Sequence, residues 1–353
     1  MKRLTAIARW LRRFAEESAT PLEIYFLTSS EAAGLLFAEQ FPVFKLPSRT
    51  VIEESGILIQ DFALLAQEWT RQTLELLKPD MLVVDTFPAG YYDELPSALP
   101  LCRLKVIIHR SVEFTNLNKE DFYHALSLYD SIIIPETKET SSVDLPSQLM
   151  DRTKYFGPVL ARERDELLSR EAVRRKLDIG GEKVVVYLTA GGGGDKNTEK
   201  QIHKLYEALR ELEHVHFVIG AGFLFRGARL YAADVTWLVN ENALELMPGF
   251  DLAISAAGYN TFHELMYAGV PSIFLPQNKW ADNQRARAEK AVGAGAAIVF
   301  EEMPENIIFQ QAVKHWFDGK AREKASQNAL SLVPHNYARD IALHLLQKLS
   351  VKL

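Results

Sequence analysis

The chain has 353 residues, 48% of them hydrophobic, a formal net charge of −6 and one cysteine. This length fits about two domains with substantial cores, and the acidic balance argues against a nucleic-acid partner, although basic residues gather in 2–13 and 285–290. The lone Cys102 excludes an intramolecular disulfide and a cysteine zinc cluster, which suits a reducing cytoplasm, and no apolar run approaches the roughly 18 residues of a membrane span.

The opening Met1-Lys2-Arg3 and the stretch 4–14 resemble a secretory signal, but Arg9, Arg12 and Arg13 interrupt the apolar region. The spacing instead predicts an amphipathic basic helix, read as the surface helix of a domain, with a membrane-interface helix as the alternative. A strand is expected over 23–28, a helix over 30–39, a short strand over 43–46, a loop over 49–59 and a long helix over 61–77. Further strands follow over 81–85, 104–109, 131–135 and 155–159. This alternation with short links predicts a parallel, doubly wound sheet.

A charged helix is expected over 161–177, so the domain boundary is placed near residue 160, giving domains over 1–160 and 161–335 and a final helix within 336–353. The second domain begins with the strand 183–188 and continues through a helix over 198–212 and strands over 215–219 and 235–239. A strand over 252–255 then leads through a tight turn into a helix capped by Asn260 or Thr261 and ended by Gly269 and Pro271. The strand 272–275, a basic helix over 283–291, a strand over 296–300 and helices over 305–317 and 336–348 complete the chain.

A doubly wound domain ordinarily opens with a strand that lies at the centre of its sheet, followed by a glycine-rich turn. Here Met1 falls directly in the helix that follows such a turn. Two expectations stand side by side: the sequence starts late, through a misassigned start or a truncation, or the first domain tolerates a gap where its central strand would lie.

In open α/β sheets ligands bind at the carboxyl ends of the strands, where each loop leads into the positive end of a helix. The loop Gly191, Gly192, Gly193 and Gly194 after the strand 183–188 suits a phosphate, because glycine lets backbone N–H groups approach closely. It lacks the lysine of a Walker A loop and the spacing of a dinucleotide fingerprint. Thr261 and Glu264 have the spacing of a capping box, while Glu264 could instead accept hydrogen bonds from a ribose diol. Asp282, Asn283 and Gln284 begin the next helix, as caps or as partners of sugar hydroxyls. Asp85 and His109 end two strands of the first domain, where either a catalytic group or a backbone cap is expected. His214 and His216 alternate on a strand with no third metal ligand in view.

The run 251–291, with Ser-Ala-Ala-Gly-Tyr-Asn-Thr, Glu264, Ala-Gly-Val-Pro and Asp-Asn-Gln-Arg, resembles the C-terminal domain of family 28 glycosyltransferases. The resemblance extends over 184–300 and is architectural before residue 160. It implies a GT-B fold of two Rossmann-like domains, the last helix crossing back to the first, and an inverting, metal-independent transfer from a UDP-sugar with no cofactor. It implies N-acetylglucosamine or a similar hexose as the sugar, and an acceptor, lipid-linked or saccharide, met by the first domain at the inner face of a membrane. Thr189 and Gly191 to Gly194 would hold phosphates, Gly258, Tyr259, Asn260 and Thr261 would flank them, Glu264 would grip the ribose and Gln284 would touch the sugar. The family's glycine-rich loop and Gly-His pair before the first helix are absent, so transfer by this chain is expected to be weak. A sugar-nucleotide hydrolase or epimerase and a non-catalytic binding subunit are the competing readings.

Overall fold

The computed structural model describes residues 1–352 apart from 113, 115–117, 191–196, 223–224, 240–241 and 278–281. It forms two units, Met1–Val159 with Asn336–Leu353, and Leu160–His335.

The first unit begins with α1 (Lys2–Glu17), whose Ala6, Ile7, Ala8 and Leu11 are buried. Next come β1 (Phe26–Thr28), α2 (Gly34–Ala38), β2 (Val43–Lys45), α3 (Arg49–Glu54) and α4 (Ile59–Leu77). Helix α3 corrects the loop expected over 49–59: Ser48 caps it, its Oγ accepting from the N–H of Val51 at 3.4 Å, and Ile52 supplies its buried residue. The strands β3 (Met81–Asp85) and β4 (Leu104–Ile108), helix α5 (Lys119–Ser127), then β5 (Ser131–Ile134) and β6 (Thr153–Tyr155) follow.

The second unit contains α6 (Arg170–Lys176), β7 (Val184–Leu188), α7 (Thr198–Leu209), β8 (Val215–Gly220), β9 (Val235–Leu238), α8 (Ala243–Leu246) and β10 (Leu252–Ser255). It continues with α9 (Tyr259–Ala268), β11 (Ser272–Phe274), α10 (Gln284–Gly293), β12 (Ala297–Val299), α11 (Asn306–His315) and α12 (Gly319–Leu332). The helix expected over 161–177 is confined to α6 and a 3-10 turn at Arg164–Glu166. Residues ahead of α6 are held by tertiary partners instead: Arg162 pairs with Glu245 at 2.5 Å, and Arg164 donates to the Tyr267 carbonyl at 3.0 Å. The last helix, α13 (Ala338–Lys352), returns to the first unit, where Ala338, Ile341, Ala342 and Leu345 pack with Ala6, Ile7 and Leu11 of α1. The apolar stripe of α1 is thus covered by protein.

All strand pairs are parallel. The second unit has one six-stranded sheet in the order β12-β11-β10-β7-β8-β9. Its first strand, β7, is central and its residues Val185 to Leu188 are buried, as expected for a Val-rich run covered on both faces. The first unit has two separate sheets, β1-β2 and β3-β4-β5-β6. The gap expected in this sheet therefore lies between β1 and β3, and no described strand pairs with the outer edge of either.

At the amino end of the second sheet, Asp251 is buried and accepts from Arg174 at 2.8 Å, Arg170 at 2.7 Å and the backbone N–H of Val185 at 2.9 Å. This charge-assisted cluster joins α6 to β7 and β10, with Arg322 of α12 also within 3.4 Å.

Candidate functional site

Three strands of the second unit deliver the candidate residues. Thr189 follows β7 and is buried, and its N–H donates to the Ile254 carbonyl at 3.0 Å, which pins it beside the end of β10. The turn Ala256-Ala257-Gly258 then carries the chain from β10 into α9. Ala257 has φ of +58°, a left-handed conformation uncommon for a residue other than glycine and retained where the surroundings hold it. Its N–H donates to Ser255 Oγ at 3.4 Å and its carbonyl accepts from Arg287 Nε at 3.1 Å.

This turn corrects the expected capping box. Helix α9 starts at Tyr259 with Gly258 as its N-cap and no capping side chain, so Thr261 is already inside the first turn and Glu264 lies a turn further on. The left-handed Ala257 swings the chain into the helix earlier than a Thr261 cap would. Asn260 is exposed, Thr261 half-buried and Tyr259 buried.

Glu264 is 3% exposed. Burial, and then the neighbouring Glu264 carboxylate, push the Tyr187 phenol above its ordinary range, and the Tyr187 hydroxyl is hydrogen-bonded to the Thr189 side chain. Two expected residues far apart in sequence are thus connected through Tyr187, which the sequence reading did not single out. Gly220 makes room for this contact, since a Cβ there would clash with the Tyr187 hydroxyl.

Asp282, Asn283 and Gln284 each have a partner within the unit. Asn283, rather than Asp282, caps α10, accepting from the Ala286 N–H at 3.0 Å. Asp282 pairs with Arg287 at 2.5 Å, and Gln284 Oε1 accepts from the backbone N–H of Gln277 at 2.9 Å. Arg287 therefore ties the turn before α9 to the start of α10, a role invisible in its sequence position. Gly191, Gly192, Gly193 and Gly194 lie outside the described residues.

A cavity of about 250 Å³ opens where β7, β10 and β11 end and beyond β12, bordered by Thr189, Ser255, Gln277 and Glu301 together with Gln201 and Lys204 of α7. Gln277 Nε2 donates to Gln201 Oε1 at 2.8 Å across its rim. Of the expected donor residues, Thr189 borders this cavity. Tyr187 packs in the cluster on one face of the sheet, with Phe262 and Leu265 of α9, whereas Leu188, Ile254 and Leu205 belong to the cluster on the other face, which includes cavity-lining residues. The site thus straddles the carboxyl edge of the sheet, with Thr189 at the crossing.

The first unit places Asp85 and His109 at the ends of adjacent strands. Arg3 donates to Asp85 Oδ1 from Nη2 at 2.6 Å and from Nε at 3.2 Å. Burial opposes ionisation of Asp85, but the Arg3 guanidinium and the terminal ammonium outweigh it and hold the carboxyl well below its usual range. His109 is 2% exposed with its Nδ1 unpartnered, and burial, reinforced by Arg110 and Arg3, lowers its pKa to about 4. Among the histidines read as weak metal candidates, His216 Nε2 is paired with Thr236 Oγ1 at 2.9 Å.

A pair of α/β units with all-parallel sheets is the GT-B arrangement of glycosyltransferases, and across 99% of this chain and 95% of the other it matches the crystal structure of the glycosyltransferase of kitacinnamycin with a TM-score of 0.66 at 16% identity. Residues 185–342 match the glycosyltransferase family 28 C-terminal domain, and the chain is a GT-B protein resembling that family. It is 28% identical over 213 residues to an uncharacterised glycosyltransferase of Methanopyrus kandleri, covering 57% of this chain and 60% of that protein. It is 25% identical over 276 residues to the UDP-N-acetylglucosamine–N-acetylmuramyl-(pentapeptide) pyrophosphoryl-undecaprenol N-acetylglucosamine transferase of Acetivibrio thermocellus, covering 74% and 71%. No helix of the described residues is long and apolar enough to cross a membrane.

Proposed function

We propose that this chain is a glycosyltransferase whose second unit binds a UDP-sugar, with N-acetylglucosamine or a similar hexose as the sugar, and passes it to an acceptor hydroxyl with inversion. The observation that carries this reading is the convergence of three strand ends of the second unit, inside the matched region, on a strained turn that feeds a helix start without a capping side chain. Such a helix start presents N–H donors and the positive end of the helix dipole to the diphosphate that leaves in the transfer. Thr189 and the loop 191–194 are assigned to the phosphates, Gly258, Tyr259, Asn260 and Thr261 to their flank, Glu264 to the ribose, and Asp282, Asn283 and Gln284 to the sugar side. The relative from Acetivibrio thermocellus carries UDP-N-acetylglucosamine in its name, which supports the choice of nucleotide.

The acceptor is assigned to the first unit, at a cytoplasmic membrane face. Ile57, Leu58, Leu64 and Leu65 at the start of α4 and just before it are exposed, which supports contact with a lipid-linked acceptor. The ion-paired Asp85 favours a second reading, a nucleotide-sugar-binding subunit with little transfer of its own, because a carboxylate held below its usual range is a weak base.

Calorimetry with UDP, ATP and NAD, each with and without EDTA, tests the donor. UDP is expected to bind most tightly and to be unaffected by EDTA; equal affinity for NAD, or a strict need for a divalent ion, would overturn the assignment. Release of UDP from UDP-N-acetylglucosamine only when an acceptor is present separates transfer from hydrolysis, and binding without release identifies the subunit reading.

A further inference from the structure

Tyr187 lies between two residues with separate tasks in the proposed donor site, Thr189 on the phosphates and Glu264 on the ribose. Along β7 the side chains of Val186 and Leu188 join the core on one face of the sheet, while Val185 and Tyr187 join the core on the other, which includes Phe262 and Leu265 of α9. Thr189 follows Tyr187 by two positions, the spacing that returns a side chain to the same side of an extended chain. Their hydroxyl groups are hydrogen-bonded to each other. Glu264 comes to the same place from α9, where it is buried alongside Phe262, Leu265 and Met266.

The Tyr187 ring is held in place. It stacks on Phe250, with centroids 5.0 Å apart and planes 13° from parallel. Its backbone sits in register with Ala253 of β10 on one side and Val218 of β8 on the other. Gly220, which ends β8, leaves the space that the hydroxyl occupies, and any side chain there would collide with it. Because the residue is buried, the hydroxyl cannot swing out to solvent. A hydroxyl fixed in this way selects the rotamer of the Thr189 side chain bonded to it. Burial and the neighbouring carboxylate keep the phenol protonated, so it serves the site as a neutral dipole rather than as a negative charge that would repel a diphosphate.

Taking the second unit as a UDP-sugar site, we propose that Tyr187 is a positioning residue that couples the two nucleotide contacts: its hydroxyl sets the Thr189 side chain for the phosphates and, beside Glu264, holds that carboxylate at the ribose. Tyr187 does not touch the nucleotide and acts only through these two side chains, whose geometry depends on a rigid supporting layer. Loss of the hydroxyl should therefore weaken both contacts at once.

UDP titrations by calorimetry on the 353-residue chain test this with Tyr187→Phe, which keeps the ring and removes the hydroxyl, alone and combined with Thr189→Val or Glu264→Gln. Tyr187→Phe is expected to weaken UDP binding about fivefold, the scale of one neutral hydrogen bond, with a nearly unchanged thermal melt. Thr189→Val should cost about fivefold in the parent and no more than about twofold in the Tyr187→Phe protein, because the orientation it depends on is already lost. Glu264→Gln should likewise cost less in the Tyr187→Phe protein than in the parent. A purely structural tyrosine would lower the melting temperature and leave both of these losses as large as in the parent, which would overturn the proposal. So would a Tyr187→Phe protein that binds UDP as the parent does. The donor reading fails separately, in the parent alone, if UDP binds no more tightly than ATP or NAD, and the coupling is then overturned with it.

Discussion

Arg3 and Asp85, 82 positions apart, form a part-buried ion pair through two hydrogen bonds, and the same Arg3 Nη2 donates to Thr86 Oγ1 at 2.9 Å. Thr86 has φ of +76°, so this guanidinium also anchors the strained residue that directly follows β3. Because α1 carries Arg3 and β3 carries Asp85, the pair fixes the first helix over the sheet edge.

Asp85→Asn removes the charge that Arg3 needs and leaves a buried cation. The expected cost is about 3 kcal/mol of stability in the first unit, the low end for a broken buried pair, because the Asp85 carboxylate keeps some contact with solvent. Asp85 has a depressed native pKa, so its contribution is fully present above its unfolded value near 4 and is lost as the pH falls towards its native value. Urea unfolding of the two proteins should show this loss below about pH 4 in the parent and its absence in Asp85→Asn.

His109 acts in a different pH window. Its native pKa of about 4 lies below the unfolded value near 6.5, so the native state keeps the imidazole neutral while the unfolded chain takes up a proton. Stability is expected to fall by about 3 kcal/mol as the pH drops from about 6.5 to about 4, and to show no further His109 effect below that. His109→Leu should flatten this part of the curve; an unchanged slope would place the titration elsewhere.

Glu264 is a test of donor binding free of helix capping, because Gly258 holds the N-cap of α9. Glu264→Gln is expected to weaken UDP binding by about 1.5 to 3 kcal/mol, the scale of hydrogen bonds to a charged group. The melting temperature should move little, since the amide retains the size of the carboxylate. An unchanged dissociation constant would remove Glu264 from the ribose site.

Arg287 holds Ala257 and Asp282 together, and a lysine can reach only one of them with a single ammonium. Arg287→Lys should reduce UDP affinity about tenfold, on the order of 1.4 kcal/mol, by loosening the turn before α9 relative to α10. Calorimetry with a parallel thermal melt distinguishes this from global unfolding, because a site effect leaves the melt nearly unchanged.

Ala257→Gly should be tolerated, with stability within about 1 kcal/mol of the parent, because glycine adopts positive φ without a Cβ penalty. Ala257→Val should lose about 2 to 4 kcal/mol, combining left-handed strain with overpacking at a fully buried position. Comparable stability of the two variants would show that this turn relaxes out of the left-handed conformation.

The alternation of short apolar runs with helical spacing was enough to read both parallel sheets, because strand and helix periodicities are local properties of the chain. That Gly258 and Gln284 lie where strands give way to helices was likewise legible, since turn glycines and helix starts leave local marks. Tertiary structure decided what local pattern cannot encode. Helix α9 begins at Tyr259 because Arg287, from the next helix, helps hold Ala257 left-handed, and Tyr187 meets Thr189 and Glu264 only because β7 lies beside β10. The pairing of α13 with α1 and of Arg3 with Asp85 joins residues whose separation in sequence says nothing of their contact. Those contacts depend on which strands pair, and pairing is settled by burial across the whole sheet rather than by any one segment.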